Sequence, residues 1–150
     1  MRLLIDTNVI HKVFDTNHKS FENYKMVHKC LFQCKGNMVL GGSTFEKEIS
    51  LKGKYRKLLS ELKRNGKLTI LRREEVDILE EKLKAMENDN DFDDPHLIAC
   101  VILFKVNVVC TDDSRADKFI TLRKFYPKRF SIPKIYRNKT HSHLMQPCFP

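Results

Sequence analysis

No apolar run in the chain approaches the roughly 20 residues needed to cross a bilayer, which excludes a helical membrane span. No signal peptide is expected, because MRLLIDTN reaches an acid at position six and its apolar run is too short for a leader core. Internal repeats, low-complexity tracts and Gly/Ser linkers are also missing, so the 150 residues are expected to form one domain with a real core. The cysteines are few and odd in number: Cys30, Cys34, Cys100, Cys110 and Cys148. Most lie in apolar runs, the pattern of reduced, buried thiols in a cytoplasmic protein. No cysteine pair stands at zinc spacing near His141-Ser142-His143, so no zinc site is read there. Asp89-x-Asp91-x-Asp93 lacks the Gly and the twelfth-position Glu of a calcium loop; Asp94 and Cys100 stand in those places.

What the chain does have is 41% hydrophobic and 31% charged residues, the balance of a soluble globular protein. Lys and Arg number 28 against 19 Asp and Glu, a formal charge of +9. A basic surface attracts polyanions, since phosphate contacts dominate nucleic-acid affinity. Local acids would repel the same phosphates unless cations sit between them.

Along the chain, Arg2–Ile5 reads as strand one and Val9–Phe14 as a short helix or turn. Phe21, Tyr24, Val27, Leu31 and Cys34 form one helical face, stopped by Gly36-Asn37. Met38–Leu40 is the second strand. Ser43 and Glu46 have capping-box spacing ahead of a helix with Phe45, Ile49, Tyr55, Leu58, Leu59 and Leu62 inward, its middle weakened by Gly53. Leu68–Leu71 is the third strand. Glu74–Met86 is a helix with Glu80-Glu81-Lys82 on a solvated face, followed by the acidic loop Glu87–Asp94. Asp94 and Pro95 fit the cap and first position of an almost wholly apolar helix through Phe104, expected to be buried all round. Val106–Cys110 is the fourth strand, Asp117–Lys124 a helix, and Ser131–Tyr136 an edge strand, because Pro133 bars it from the sheet centre. The tail from Arg137 lacks periodicity and is expected to fray or be disordered. The domain is thus drawn over 1–136, with 137–150 as a basic tail. Strands alternating with helices make βαβ units and a parallel sheet.

The acids then fall at one edge. Asp6 follows strand one, Glu46 and Glu48 open the helix after strand two, Asp93 and Asp94 open the apolar helix, and Asp112 and Asp113 follow strand four. In open α/β sheets, ligands bind outside the strand carboxyl ends. Clustered carboxylates raise each other's pKa, a penalty that a divalent cation removes, and hard oxygen ligands suit Mg²⁺ or Mn²⁺. Other readings are open for single residues. Asp6 and Asp94 could be helix caps, Glu46 the capping-box partner of Ser43, and His96 a polar helix residue.

Taken together, Ile5-Asp6-Thr7-Asn8, Glu48-Ile49, Asp94-Pro95-His96-Leu97-Ile98-Ala99 and Thr111-Asp112-Asp113 resemble, in order, the motifs of the PIN-domain nucleases. The resemblance spans roughly Met1 to Tyr136. It implies a Rossmann-like fold with a twisted parallel sheet of four to five strands flanked by helices. It implies Asp6, Glu48, Asp94 and Asp113 as catalytic residues holding one or two Mg²⁺ or Mn²⁺ ions, with Asn8 and Thr111 in support and Asp112 as the less suited acid of its pair. The implied activity is metal-dependent cleavage of RNA phosphodiester bonds. Such proteins include toxins of toxin–antitoxin pairs, which would add a protein antitoxin or inhibitor as partner, RNA-processing enzymes, and modules that bind without cutting; small members are often homodimers. The chain has no long helical clamp of the kind used by flap-cutting relatives, which weakens a DNA reading. A signalling receiver domain is also doubly wound, but it needs adjacent acids where IDTN supplies one.

The cations lie in two runs, Lys52–Lys67 and Lys118–Lys139. Arg123, Lys124, Lys128 and Arg129 follow the fourth acid motif and are expected to form the RNA surface. Aromatics such as Tyr55, Phe125 and Tyr136 are interleaved among the cations, where they could stack on bases or cover the core.

Overall fold

The computed structural model describes residues 1–149 and is an α/β fold built on a five-stranded, all-parallel sheet. The strands are β1 (Arg2–Ile5), β2 (Asn37–Gly41), β3 (Leu68–Leu71), β4 (Val108–Cys110) and β5 (Lys134–Tyr136), in the order β3-β2-β1-β4-β5. The helices are α1 (Ile10–Phe14), α2 (Phe21–Gln33), α3 (Ser43–Ser50), α4 (Lys54–Arg64), α5 (Arg73–Ala85), α6 (Pro95–Phe104) and α7 (Asp117–Ile120), with three 3₁₀ segments. No helix among the described residues is long and apolar enough to cross a membrane.

Side chains alternate across the sheet, as the two-residue period of a strand requires. Leu3, Ile5, Met38, Leu40, Val108 and Cys110 face a core shared with α1–α4. Leu4, Val39 and Val109 face a second core shared with α5–α7. Burial on both faces explains why these strands read as continuous apolar runs. β1 pairs with β2 on one side and β4 on the other. The chain therefore reverses its winding direction beside β1, and the carboxyl ends of β1 and β4 flank that switch point, where open α/β sheets bind ligands.

Several local expectations change. The helix expected over 43–62 is two helices, because Leu51–Gly53 interrupts it. No capping box forms at Ser43. Gly42, at φ +90°, is the N-cap, and Asp77 of α5 takes over the capping role. Asp77 accepts from the Ser43 amide at 2.8 Å and from the Ser43 hydroxyl, and these bonds hold its carboxyl below the usual range. Glu46 instead meets Arg73 at 3.6 Å. Glu80 is not on a solvated face: it is buried, accepts from Thr44 Oγ1 at 3.0 Å and pairs with Lys84 at 3.2 Å. The Asp117–Lys124 helix is only α7 followed by a 3₁₀ turn at Arg123–Phe125.

The segment from Arg137 is not frayed. Arg137 clamps Asp117 with two bonds of 2.6 and 2.9 Å, and Asn138 caps a 3₁₀ helix over Lys139–Cys148. Met145 is fully buried, and Leu144, Cys148 and Phe149 pack against the core of α1–α4. This packing brings Cys148 onto Cys30 of α2, and the two form a disulfide. The expectation of five reduced thiols is thereby corrected; Cys34, Cys100 and Cys110 are free. Burial raises the Cys100 thiol to about 12. If the tail is part of the core, Met145→Ala should cost about 2–5 kcal/mol in urea unfolding, the usual range for deleting a fully buried methionine side chain.

Candidate metal centre

Asp6 is the first residue beyond β1, and its amide still bonds the Cys110 carbonyl at 2.9 Å, which fixes it at the sheet edge. Its carboxylate is buried. Oδ2 accepts from Thr111 Oγ1 and from Asn8 Nδ2, both at 2.8 Å. Oδ1 takes longer bonds from the Asn8 amide at 3.4 Å and Thr7 Oγ1 at 3.5 Å. Asp6 does not cap α1, whose N-cap is Val9 with no side-chain bond. The Thr111 hydroxyl also accepts from the Asp113 amide at 3.1 Å, so one residue at the end of β4 ties two acids together. Asn8 uses its other end as well, accepting from the Asp112 amide at 3.3 Å.

Glu48 comes from α3. Its Oε2 accepts from Thr7 Oγ1 at 2.7 Å, which draws it toward β1. Asp94 occupies the N-cap position of α6, yet its side chain makes no capping bond and is left for the cleft. Oxygens of Asp93, Asp94 and Asp113 lie within 4.8 Å of one another, and so do donor atoms of Glu48, Asp94 and His96. Asp94 belongs to both groups. Its carboxyl is pushed up to about 7, first by burial and then by the charges of Asp6, Asp93, Glu48 and Asp113. Asp94 is thus the residue that joins Glu48 of α3 to Asp113 beyond β4, while Asp6 stands outside both donor groups.

Arg115 partly relieves the crowding. Its Nη2 meets Asp113 at 2.8 Å and Asp93 at 3.5 Å. The first pairing, with the backbone bond from Arg115, holds the Asp113 carboxyl low. Asp112 has a different part. It is bonded by Lys12 of α1 and Tyr24 of α2, a structural tie that leaves Asp113 as the acid of that motif in the cluster. Burial and the Asp112 bond raise the Tyr24 phenol, so this link persists across the physiological pH range.

His96 is the residue that sequence reasoning placed too lightly. It is only 2% exposed, and among the described residues neither ring nitrogen has a hydrogen-bond partner. The signal available was a lone histidine inside an otherwise apolar helix, two residues after the third acid.

The expected RNA surface is not beside the acids. Arg123 spends its guanidinium on the carbonyls of Phe130 and Pro127, at 2.6 and 2.7 Å, and Lys124 pairs with Glu87 at 2.8 Å. Lys128 and Arg129 line a cavity of about 530 Å³ with Lys105 and Asn107. Asn107 precedes β4 and Lys105 ends α6, so this cavity lies at the opposite edge of the sheet. The cations near the acids are instead Arg115, Lys12 and Lys52, the last 3.4 Å from the Thr7 carbonyl. His11 lies among these lysines, Lys54 and His18, and its pKa is lowered by burial first and by those charges second.

Acidic groups in this arrangement can hold a metal ion. Asp94 also yields a prediction for the metal-free protein. Its folded pKa of about 7 exceeds the ordinary 3.8, so the folded state binds the proton more tightly than the unfolded state. This contribution to stability is complete below about pH 4 and is lost as the pH rises to about 7. Denaturant unfolding in EDTA should show the gap between wild-type and Asp94→Asn growing over that window in favour of the variant; a pH-independent gap would contradict the coupling. No protein-family model, curated protein or solved structure matches this chain, so its own geometry carries the functional reading.

Proposed function

We propose that this protein is a metal-dependent ribonuclease that hydrolyses phosphodiester bonds, with Mg²⁺ or Mn²⁺ as its cation. The observation that carries the reading is the pair of donor groups that share Asp94, one with Glu48 and His96 and one with Asp93 and Asp113, beside Asp6 at the switch point of the sheet. Asp6 and Asp94 are not used as helix caps, so the bland reading of each loses its support. The resemblance to PIN-domain nucleases adds the substrate class. When bound, a divalent cation polarises a phosphoryl oxygen and lowers the pKa of a water.

The chain's own residues have separable parts in this reading. Asp6, Glu48, Asp94 and Asp113 hold the cation, directly or through water. Thr111 and Asn8 orient Asp6, and Thr7 orients Glu48. Lys52 borders the cleft and offers a charge to the phosphate backbone. One observation favours a second reading, in which the protein binds RNA without cutting: Arg115 supplies positive charge to Asp113 and Asp93 without any metal.

Cleavage of a mixed pool of labelled RNAs separates the two. The nuclease reading expects cutting with Mg²⁺ or Mn²⁺, none with EDTA, and a loss of at least roughly 100-fold in Asp6→Asn or Asp94→Asn, the scale of removing one electrostatic stabiliser. Binding without cutting under either metal would favour the second reading. For the path of the RNA, Lys52→Ala should weaken binding and reduce the salt slope by about 1, whereas Lys128→Ala, at the far edge, should leave both unchanged.

A further inference from the structure

The four-carboxylate reading leaves His96 unexplained. The large majority of buried side-chain polar atoms in native proteins have a hydrogen-bond partner. Here a histidine 2% exposed has two ring nitrogens and, among the described residues, no partner for either. It lies in the first turn of α6, where Pro95, Leu97, Ile98 and Ala99 are buried around it. Core packing alone would be served by an apolar residue, like every other side chain between Leu97 and Phe104.

Its Nε2 lies 4.0 Å from Glu48 Oε1. That is too long for a hydrogen bond. It is close to the spacing of two donors on one cation, about 3–4 Å for bonds of about 2.0–2.2 Å. An oxygen of Asp94 completes a set in which the donors are within 4.8 Å of one another. The three come from the early turns of α6 and from α3, both held at the carboxyl edge of the sheet.

We infer that His96 is a metal ligand, forming with Glu48 and Asp94 a mixed nitrogen–oxygen site that selects a first-row transition dication such as Mn²⁺ over Mg²⁺. The inference rests on the reading of these acids as a metal centre and adds the class of cation to it. Magnesium prefers oxygen ligands only, whereas an imidazole nitrogen suits transition ions. The unpartnered Nε2 is then a donor held ready, its partner being the ion rather than another side chain.

The test is electron spin-echo spectroscopy of Mn²⁺ added to the whole protein, with affinities for Mn²⁺ and Mg²⁺ measured by titration. The expected result is a nitrogen coupling that changes when histidine is labelled with ¹⁵N. In His96→Asn the coupling should vanish, with Mn²⁺ affinity down at least about tenfold and Mg²⁺ affinity changed far less. His96→Gln is made alongside in case one variant fails to fold, and the labelled wild-type spectrum needs no variant. Bound Mn²⁺ without nitrogen coupling, or with coupling that persists in a folded His96 variant, would overturn the role of His96 while leaving the carboxylate centre intact. No Mn²⁺ binding at all would overturn both.

Discussion

Carboxylates of like charge are crowded at the carboxyl edge of a parallel sheet, and much of the surrounding structure is arranged to tolerate them. Burial alone would make each acid prefer its proton, and neighbouring charges add to that preference. Asp94 carries the largest share, because it is half-buried and faces the charges of Asp6, Glu48, Asp93 and Asp113. Such a cluster is costly to keep ionised, and it gains most from a compact positive charge at its centre.

The supporting residues distribute that cost. Thr111 and Asn8 both donate to Asp6 Oδ2, which fixes the orientation of its carboxylate at the sheet edge. Arg115 lies on the outer side, against Asp113 and Asp93, and among the described residues no Lys or Arg pairs with the inner group of Glu48, Asp94 and His96. Asp112 is removed from the cluster by Lys12 and Tyr24, and that tie also fastens α1 and α2 to the end of β4. The same sheet edge is thus divided by two consecutive aspartates into a half that ties helices together and a half that carries the acid cluster.

Much of this was legible from the sequence because its causes are local. Strands buried on both faces are apolar runs, and residues at their ends can be counted off directly, which places Asp6, Thr111 and the Asp112-Asp113 pair at the sheet edge. The choice of Glu48, of Asp94 over Asp93 and of Asp113 over Asp112 rests on the family resemblance alone. What was not legible depends on partners remote in sequence. Asp77 caps α3 from 34 residues away, and Glu80 is covered by Thr44 from 36 residues away. Cys148 reaches Cys30 across 118 residues, and the tail shows no period because it folds as a 3₁₀ segment against a finished core. The basic residues after the fourth acid motif follow it in sequence, but the chain crosses the sheet before Lys128 and Arg129 are reached. His96 was passed over for a related reason, since only the folded helix shows that both its nitrogens face no protein partner.

A cation bound among these carboxylates is the central claim, and anomalous diffraction from crystals grown with Mn²⁺ tests it most directly. The account predicts an anomalous peak enclosed by Asp6, Glu48, Asp94 and Asp113, against the His96 side of the cleft. A fully exchanged crystal with no peak there, or with manganese bound only at exposed acids such as Asp89 and Asp91, would contradict it.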